Sequence, residues 1–351
     1  MEIRRNPFTG ERVLVSPHRL SRPWQPEGFC PFCPGGPETG QGWEVLLLPN
    51  RYPVVTRNPP NPVQEELFQA EEAYGQAYVL VETPQHDLDD LSDLPPSQIE
   101  KVLRLVMKAQ KEAEEDPKAL YFLFFRNKGR EIGVSLTHPH SQIYILPVVP
   151  PRVETELRAS EEWYRQRGTC LHCLITTREE KRIVYQNASW KSFVPYYARW
   201  PHEVHIYPKR HVSHFTALRE DEVGHLADML RKTLCAFKTA LGKPMPYIMV
   251  LHQAPLRVET PHYHLHFEIY GMYRPDGKLK YAAGAELGAS LYTLDTTPEE
   301  TAERLRKALA NCVTNNRKPA HLGRGWEKFK MWVLLILGPR LRADDPRCWP
   351  G

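Results

Sequence analysis

Two histidines flank a proline in His138-Pro139-His140-Ser141-Gln142, and a glutamine follows the second by two positions. The text then runs into Gln142-Ile143-Tyr144-Ile145-Leu146, which reads as a strand. Along a strand, residues two apart face the same side. If the strand begins early enough, His138, His140 and Gln142 line one surface. A neutral imidazole there can attack phosphorus, and the amide can hydrogen-bond phosphoryl oxygens. Covalent catalysis of this kind splits one difficult transfer into two easier ones. The competing reading is a pair of ordinary loop histidines beside a proline.

Metal-ligand chemistry is the second signal. Cys30-Pro31-Phe32-Cys33 precedes His86 and His138, and Cys170-Leu171-His172-Cys173 precedes His211 and His264. A C-x-x-C with two distant histidines is a tetrahedral zinc set, because thiolates at that spacing reach one ion from a tight knuckle. Site one is Cys30, Cys33, His86 and His138. Site two is Cys170, Cys173, His211 and His264, with His252 and Glu154 as competing ligands. A single C-x-x-C also suits a redox pair; two with parallel histidines favour zinc, two ions per chain. Zinc on His138 would fix the loop that presents His140.

These residues need elements to hold them, and the elements repeat. Each half has a strand-like run before its single His, Tyr78-Val79-Leu80-Val81-Glu82 and Val204-His205-Ile206-Tyr207. Helical stretches follow at about 97–115 and 220–241, then apolar strands at 121–125 and 247–251, then HxH. A duplicated α+β unit explains this order. The halves meet near 147–168, where Pro147, Pro150 and Pro151 punctuate a charged segment.

Several blocks carry a resemblance. They are Arg5-Asn6-Pro7-Phe8-Thr9-Gly10, the 16–25 segment from Ser16 to Gln25, Cys30-Pro31-Phe32-Cys33, Asn50-Arg51-Tyr52-Pro53, Asn127-Lys128-Gly129, the HPHSQ stretch and His264-Leu265-His266-Phe267. In this order they resemble the galactose-1-phosphate uridylyltransferase family of the histidine-triad superfamily. The resemblance implies two tandem histidine-triad-like domains, each an antiparallel sheet with helices packed on it. Residues 1–150 would be the catalytic domain and 151–351 a second domain with a hexose-contacting loop. His140 resembles the nucleophile that takes UMP from a UDP-sugar, and Gln142 the amide that steadies the uridylylated histidine. Ser135, Asn127, Asn50, Arg19 and Arg22 resemble phosphate and nucleotide contacts; guanidinium forks suit phosphate oxygens. Lys280 and Glu286 resemble hexose-phosphate contacts supplied by the other subunit of a homodimer. Zinc at the first C-x-x-C set is implied as well.

The chain also departs from the family pattern. Ser141 stands where the family commonly has Gly, a variant also seen in relatives that transfer AMP. Ala285 and Tyr292 replace an aromatic and a glutamine. Many members build the second metal site from a Glu and three His without a C-x-x-C. Glu268 follows the second HxH where the first has Gln142. A carboxylate beside the imidazole repels incoming phosphate, so the second half reads as scaffold.

The 351 residues suffice for two domains with real cores. Lys plus Arg is 46 and Asp plus Glu is 42, and a net charge of +4 gives no sign of nucleic-acid binding. Met1-Glu2-Ile3-Arg4-Arg5 carries no apolar leader. The apolar run at 331–337 falls far short of the roughly 20 residues of a membrane span. A cytoplasmic enzyme with no membrane partner is expected, with Cys235, Cys312 and Cys348 as free thiols. The implied reaction is a double displacement in which His140 carries the nucleotide between two sugar 1-phosphates. The alternatives are an ADP-sugar or dinucleoside-polyphosphate phosphorylase using an adenylyl-histidine, and a zinc-stapled nucleotide-binding protein without activity.

Overall fold

The computed structural model describes residues 1–21, 29–88 and 90–315. Arg22, Cys348 and the apolar run at 331–337 lie outside the described residues. The strands are β1 (Glu2–Arg5), β2 (Arg12–Val15), β3 (Leu46–Pro49), β4 (Ala70–Glu72), β5 (Gln76–Val81), β6 (Tyr121–Lys128), β7 (His140–Leu146), β8 (Ile183–Gln186), β9 (Trp190–Phe193), β10 (His202–Pro208), β11 (Tyr247–His252) and β12 (His266–Gly271). The α-helices are α1 (Pro96–Glu114), α2 (Pro151–Arg167), α3 (Leu171–Arg178), α4 (Glu220–Leu241), α5 (Gly284–Ala289) and α6 (Pro298–Asn315). No helix among the described residues is long and apolar enough to cross a membrane.

The α+β expectation holds, and the two antiparallel halves join edge to edge. One nine-stranded sheet runs β3-β5-β7-β6-β11-β12-β10-β9-β8. The seam is β6 against β11, with Phe125 opposite Val250 and Lys128 opposite Tyr247. A small sheet β2-β1-β4 lies apart from it.

Helices cover one face of the large sheet. In α1 the buried residues Ile99, Val102, Leu103, Val106 and Ala113 recur at helical spacing and form one stripe. In α4 the stripe is Val223, Leu226, Leu230, Leu234 and Phe237. Acids at 220–222 complement the amino-terminal end of α4, and Gly242 ends it at φ +65°, a left-handed turn that glycine adopts without strain. Both stripes meet Phe122, Phe124, Met249 and Leu251 in a single core spanning the seam. Each fully buried side chain of this kind contributes about 1.5–3 kcal/mol.

The proline-punctuated segment between the halves is mostly helix α2, with Pro151 at its first position, where the missing N–H costs nothing. Two expectations need correction. Strand β7 starts at His140, so His138 belongs to the preceding loop. Cys235 and Cys312 are not free: α4 packs on α6 with their Cα atoms 6.2 Å apart, within bridging range, and they form a disulfide.

Candidate active site and metal centres

The first knuckle gathers its four donors as the spacing predicts. One ligand atom from each of Cys30, Cys33, His86 and His138 lies within 4.8 Å of the others. Cys30 Sγ is 3.5 Å from His138 Nδ1, and Cys33 Sγ is 3.4 Å from His86 Nδ1. His138 Nε2 donates to the Thr83 carbonyl at 2.8 Å, which leaves Nδ1 aimed at the sulfurs. Burial pushes the His138 pKa down to about 4, so the ring is neutral, as a ligand must be. Two cysteine sulfurs and two oriented imidazoles are a donor set that fits zinc, which would cross-link the loop before β7 to the segment after β5.

His140 opens β7 and is nearly buried. Its Nδ1 lies 2.8 Å from the His138 carbonyl oxygen. A carbonyl can only accept, so Nδ1 carries the proton, and in the neutral ring Nε2 carries the lone pair. Phe32 of the knuckle packs against the imidazole, with ring centroids 5.5 Å apart. His140 borders two cavities. One, about 140 Å³, is lined by Phe29, Phe32, Tyr52, Asn50, Ser135 and Gln142. The other, about 380 Å³, presents Asn127, Lys128, Arg130 and Glu131. The first suits a flat base edged by amide and hydroxyl groups. The second, with its cationic side chains, suits phosphate.

Most residues expected at the site converge there. Gln142 shares a strand face with His140, while Asn50 and Ser135 line the smaller cavity and Asn127 the larger. Asn50 Oδ1 accepts from the Tyr52 N–H at 2.9 Å, fixing the turn that bounds the cavity. Arg19 donates to the Tyr52 carbonyl at 2.6 Å and so braces the same turn. Lys280 and Glu286 behave differently. Both are buried, and Lys280 Nζ lies 3.1 Å from Glu286 Oε1 while also donating to the Thr293 carbonyl. Within the chain they lock the 280–293 segment.

The second half contains two ligand groups. Cys170, Cys173, His211 and His264 assemble like the first knuckle, with Cys173 Sγ 3.2 Å from His211 Nδ1 and 3.3 Å from His264 Nδ1. Hydrogen bonding to Cys173, and then to His211 and His264, holds the Cys170 thiol far below its ordinary range. Glu156, His252, His266 and Glu268 form a separate group. His252 therefore does not compete for the knuckle. Nor is Glu154 its partner, since Glu154 lies beside Arg12 at 3.8 Å. The acid that meets His252 is Glu156, at 3.0 Å. Two residues along a helix turn the side chain roughly 200° around the axis, so Glu154 and Glu156 face opposite ways. Burial alone would lower the His252 pKa; the carboxylates of Glu156 and Glu268 outweigh it and raise the pKa to about 9.

Sequence reading missed other residues around these sites. Glu203 and His205 join Glu268 in a buried cluster. Glu82 and Arg126 form a buried pair beneath β7. Glu82 and Arg126 each follow an apolar strand run with a charge, and that is the available signal.

Residues 1–150 match the galactose-1-phosphate uridyl transferase N-terminal domain family, and residues 156–318 match its C-terminal domain family. The galactose-1-phosphate uridylyltransferase of Thermotoga maritima is 36% identical over 313 residues, covering 88% of this chain and 98% of that protein. The ADP-glucose phosphorylase of Arabidopsis thaliana is 28% identical over 334 residues, covering 87% and 92%. A solved structure described as a uridylyltransferase shares 68% identity at a TM-score of 0.86, over 89% of this chain and all of that one. The Arabidopsis ADP-glucose phosphorylase with bound ADP-glucose superposes at a TM-score of 0.70 with 27% identity, over 88% and 98%. With both domain families matched in order and these identities over most of its length, the chain belongs to the galactose-1-phosphate uridylyltransferase family.

Proposed function

We propose that the protein transfers UMP between hexose 1-phosphates, with UDP-glucose and galactose 1-phosphate as substrates, through a uridylyl-His140 intermediate. The observation that carries this reading is the His140–His138 carbonyl bond, which leaves a lone pair on the nitrogen that attacks. A phosphodiester resists attack because the anion repels nucleophiles, so holding and aligning it lowers the barrier. Nε2 attacks the α-phosphorus and the sugar 1-phosphate leaves. Gln142 hydrogen-bonds the phosphoryl oxygens. A second sugar 1-phosphate then displaces the nucleotide from His140. Asn50, Ser135 and Asn127 hold the nucleotide, and Arg19 and Arg22 serve its phosphates. Zinc in the knuckle of Cys30, Cys33, His86 and His138 is a structural cross-link, and the knuckle of Cys170, Cys173, His211 and His264 holds a second ion.

Incubation with UDP-glucose labelled at the α-phosphate tests the reading. The expected result is a stoichiometric UMP adduct on His140, with label exchange into glucose 1-phosphate before any second substrate is added. An AMP adduct from ADP-glucose without a UMP adduct would favour phosphorolysis of ADP-sugars, the reading that Ser141 and the Arabidopsis relative support. No adduct from either sugar removes the covalent mechanism.

The active site is shared in a homodimer, with the segment carrying Lys280 and Glu286 contacting hexose phosphate at the neighbouring chain's His140. Exposed Tyr281, Leu287 and Leu291 on that segment support a covered surface. Mixing His140→Asn chains with Lys280→Ala chains should restore part of the activity; sedimentation as a monomer at micromolar concentration sinks the shared site. The catalytic domain is residues 1–150 and the second domain 151–351. The protein works in the cytoplasm, which cell fractionation checks, and needs neither nucleic acid nor membrane.

A further inference from the structure

The catalytic strand is tied down from its far side. His140 and Gln142 face the cavities, so Ser141 between them points to the helix-covered face, where it is 1% exposed. There its hydroxyl donates to Glu82 Oε1. Glu82 is itself fully buried and paired in a fork with Arg126: Nε lies 3.0 Å from Oε1 and Nη2 lies 3.0 Å from Oε2. Arg126 Nη1 donates to the Tyr247 hydroxyl at 2.8 Å, and that hydroxyl donates to Asp90 at 2.6 Å. The network thus links the ends of β5, β7, β6 and β11 across the seam.

Glu82 and its neighbour hold the HPHS segment at three points. The Glu82 N–H donates to the Pro139 carbonyl at 3.1 Å, the Thr83 carbonyl accepts from His138, and the Glu82 carboxylate accepts from Ser141. His140 is the residue between these anchors. Its own Nδ1 bond runs to the His138 carbonyl, so the placement of 138 and 141 decides where the imidazole aims.

The second half is an internal control. Leu80 lies opposite Ser141, and Ile206 opposite Phe267. Phe125 lies opposite Gln142, and Val250 opposite Glu268. In this register Ser141, Arg126 and Glu82 correspond to Phe267, Leu251 and Pro208. All three polar groups are replaced by apolar ones where the second HxH begins its strand. The sheet does not need a buried ion pair at that place to form. Buried pairs of this kind are weak evidence for stability, and fixing one conformation is a role attested for some of them.

We propose that the Ser141 hydroxyl, held by the Glu82–Arg126 pair, is a positioning element that aims the His140 imidazole at the α-phosphorus. The proposal rests on His140 being the nucleophile. Removing Glu82 or Arg126 strands a buried charge and endangers folding, so the hydroxyl is the member to test. Ser141→Ala in the full-length, zinc-loaded protein should slow single-turnover UMP transfer onto His140 by roughly tenfold, a modest misplacement. The KM for UDP-glucose, zinc content and melting temperature should match wild type. Ser141→Thr, which keeps the hydroxyl, should recover most of the rate. Wild-type transfer by Ser141→Ala overturns the proposal. So does equal slowing of the Ala and Thr variants, which would indicate packing alone. Nitrogen-15 NMR of the His140 ring judges the same idea without catalysis. The wild type should show the Nδ1-protonated tautomer alone and Ser141→Ala a mixture; identical spectra overturn the proposal. Failure of the wild type to form any adduct would remove the uridylyl-histidine reading, and the spectra would then decide the positioning role by themselves.

Discussion

The strands β7 and β12 start from the same HxH text and reach opposite ends. In both, the second histidine's Nδ1 lies near the first histidine's carbonyl oxygen, at 2.8 Å in β7 and 3.1 Å in β12. In both, the first histidine faces a pair of cysteine sulfurs. Two residues beyond the second histidine, β7 carries Gln142 and β12 carries Glu268. Gln142 lines a cavity. Glu268 is buried against Arg199 at 3.0 Å and His205 at 3.4 Å, and its carboxyl is held well below the usual range: burial opposes ionisation, and His205 and His252 outweigh it. One face leaves room for an incoming phosphate; the other already holds its own carboxylates. The imidazole geometry survives duplication, and the neighbouring charge is what separates the two copies.

The most direct way to break this comparison is to remove each second histidine. His140→Asn should abolish the nucleotide adduct, whereas His266→Asn should still form it to full stoichiometry by intact-mass measurement. An adduct lost in both would give β12 a part in the reaction.

A smaller but still large effect is expected at the amide. Gln142→Ala should lower kcat by about 10²–10³, in line with loss of a donor to developing phosphoryl charge, with less change in KM. Equal loss in kcat and kcat/KM would still fit; a pure KM effect would not.

The two knuckles should differ next. His138 Nε2 is held by the Thr83 carbonyl, whereas His264 Nε2 is buried with no hydrogen-bond partner among the described residues. Outer partners of this kind change metal affinity by about 10–100-fold. Titration with a chelator should therefore empty the site of Cys173 first, followed by zinc-release absorbance in Cys30→Ser and Cys170→Ser variants. Simultaneous release, or release from the first knuckle first, contradicts the difference.

The smallest effects concern the acids of α2. Because the folded-state pKa of His252 is raised to about 9, its pairing stabilises fully below about pH 6.5. That contribution is lost as pH rises through 9. In metal-free protein, Glu156→Gln should cost about 3 kcal/mol near pH 6 and much less near pH 9.5, by urea unfolding at both values. Glu154→Gln, at a half-exposed pair with Arg12, should cost less than about 1 kcal/mol at either pH. The reverse ranking would return Glu154 to the site.

Much of the site was legible because its determinants are local or strictly spaced. C-x-x-C, HxHxQ and the repeated intervals identify donors whatever the chain does between them. Helix α4 was readable to its last residue because acids open it and Gly242 closes it. The joining of the sheets was not legible, since Phe125 and Val250 read as apolar strand residues with no mark of their partner. Glu156 was missed for a different reason. On a charged helix every acid looks alike until its phase relative to the core is known, and α2 has few buried residues to reveal that phase. The pairing of Cys235 with Cys312 depends on α4 meeting α6, which neither helix announces.

The seam between β6 and β11 also bears on how the chain is made. β6 needs β11 as its second neighbour, and β11 lies far downstream, beyond α2, α3 and α4. During synthesis the first half emerges while one side of Phe125-Arg126-Asn127-Lys128, the stretch that pairs with β11, still awaits its partner. Unpaired strand edges recruit other strands, and non-local pairing is slow to form. A chain stopped after residue 150 would carry His140 and the first knuckle yet present this edge permanently. Such a fragment should aggregate in light-scattering assays, and adding the 151–351 fragment early in refolding should suppress that aggregation. In this fold the second half supplies the strand that covers the open edge of the first.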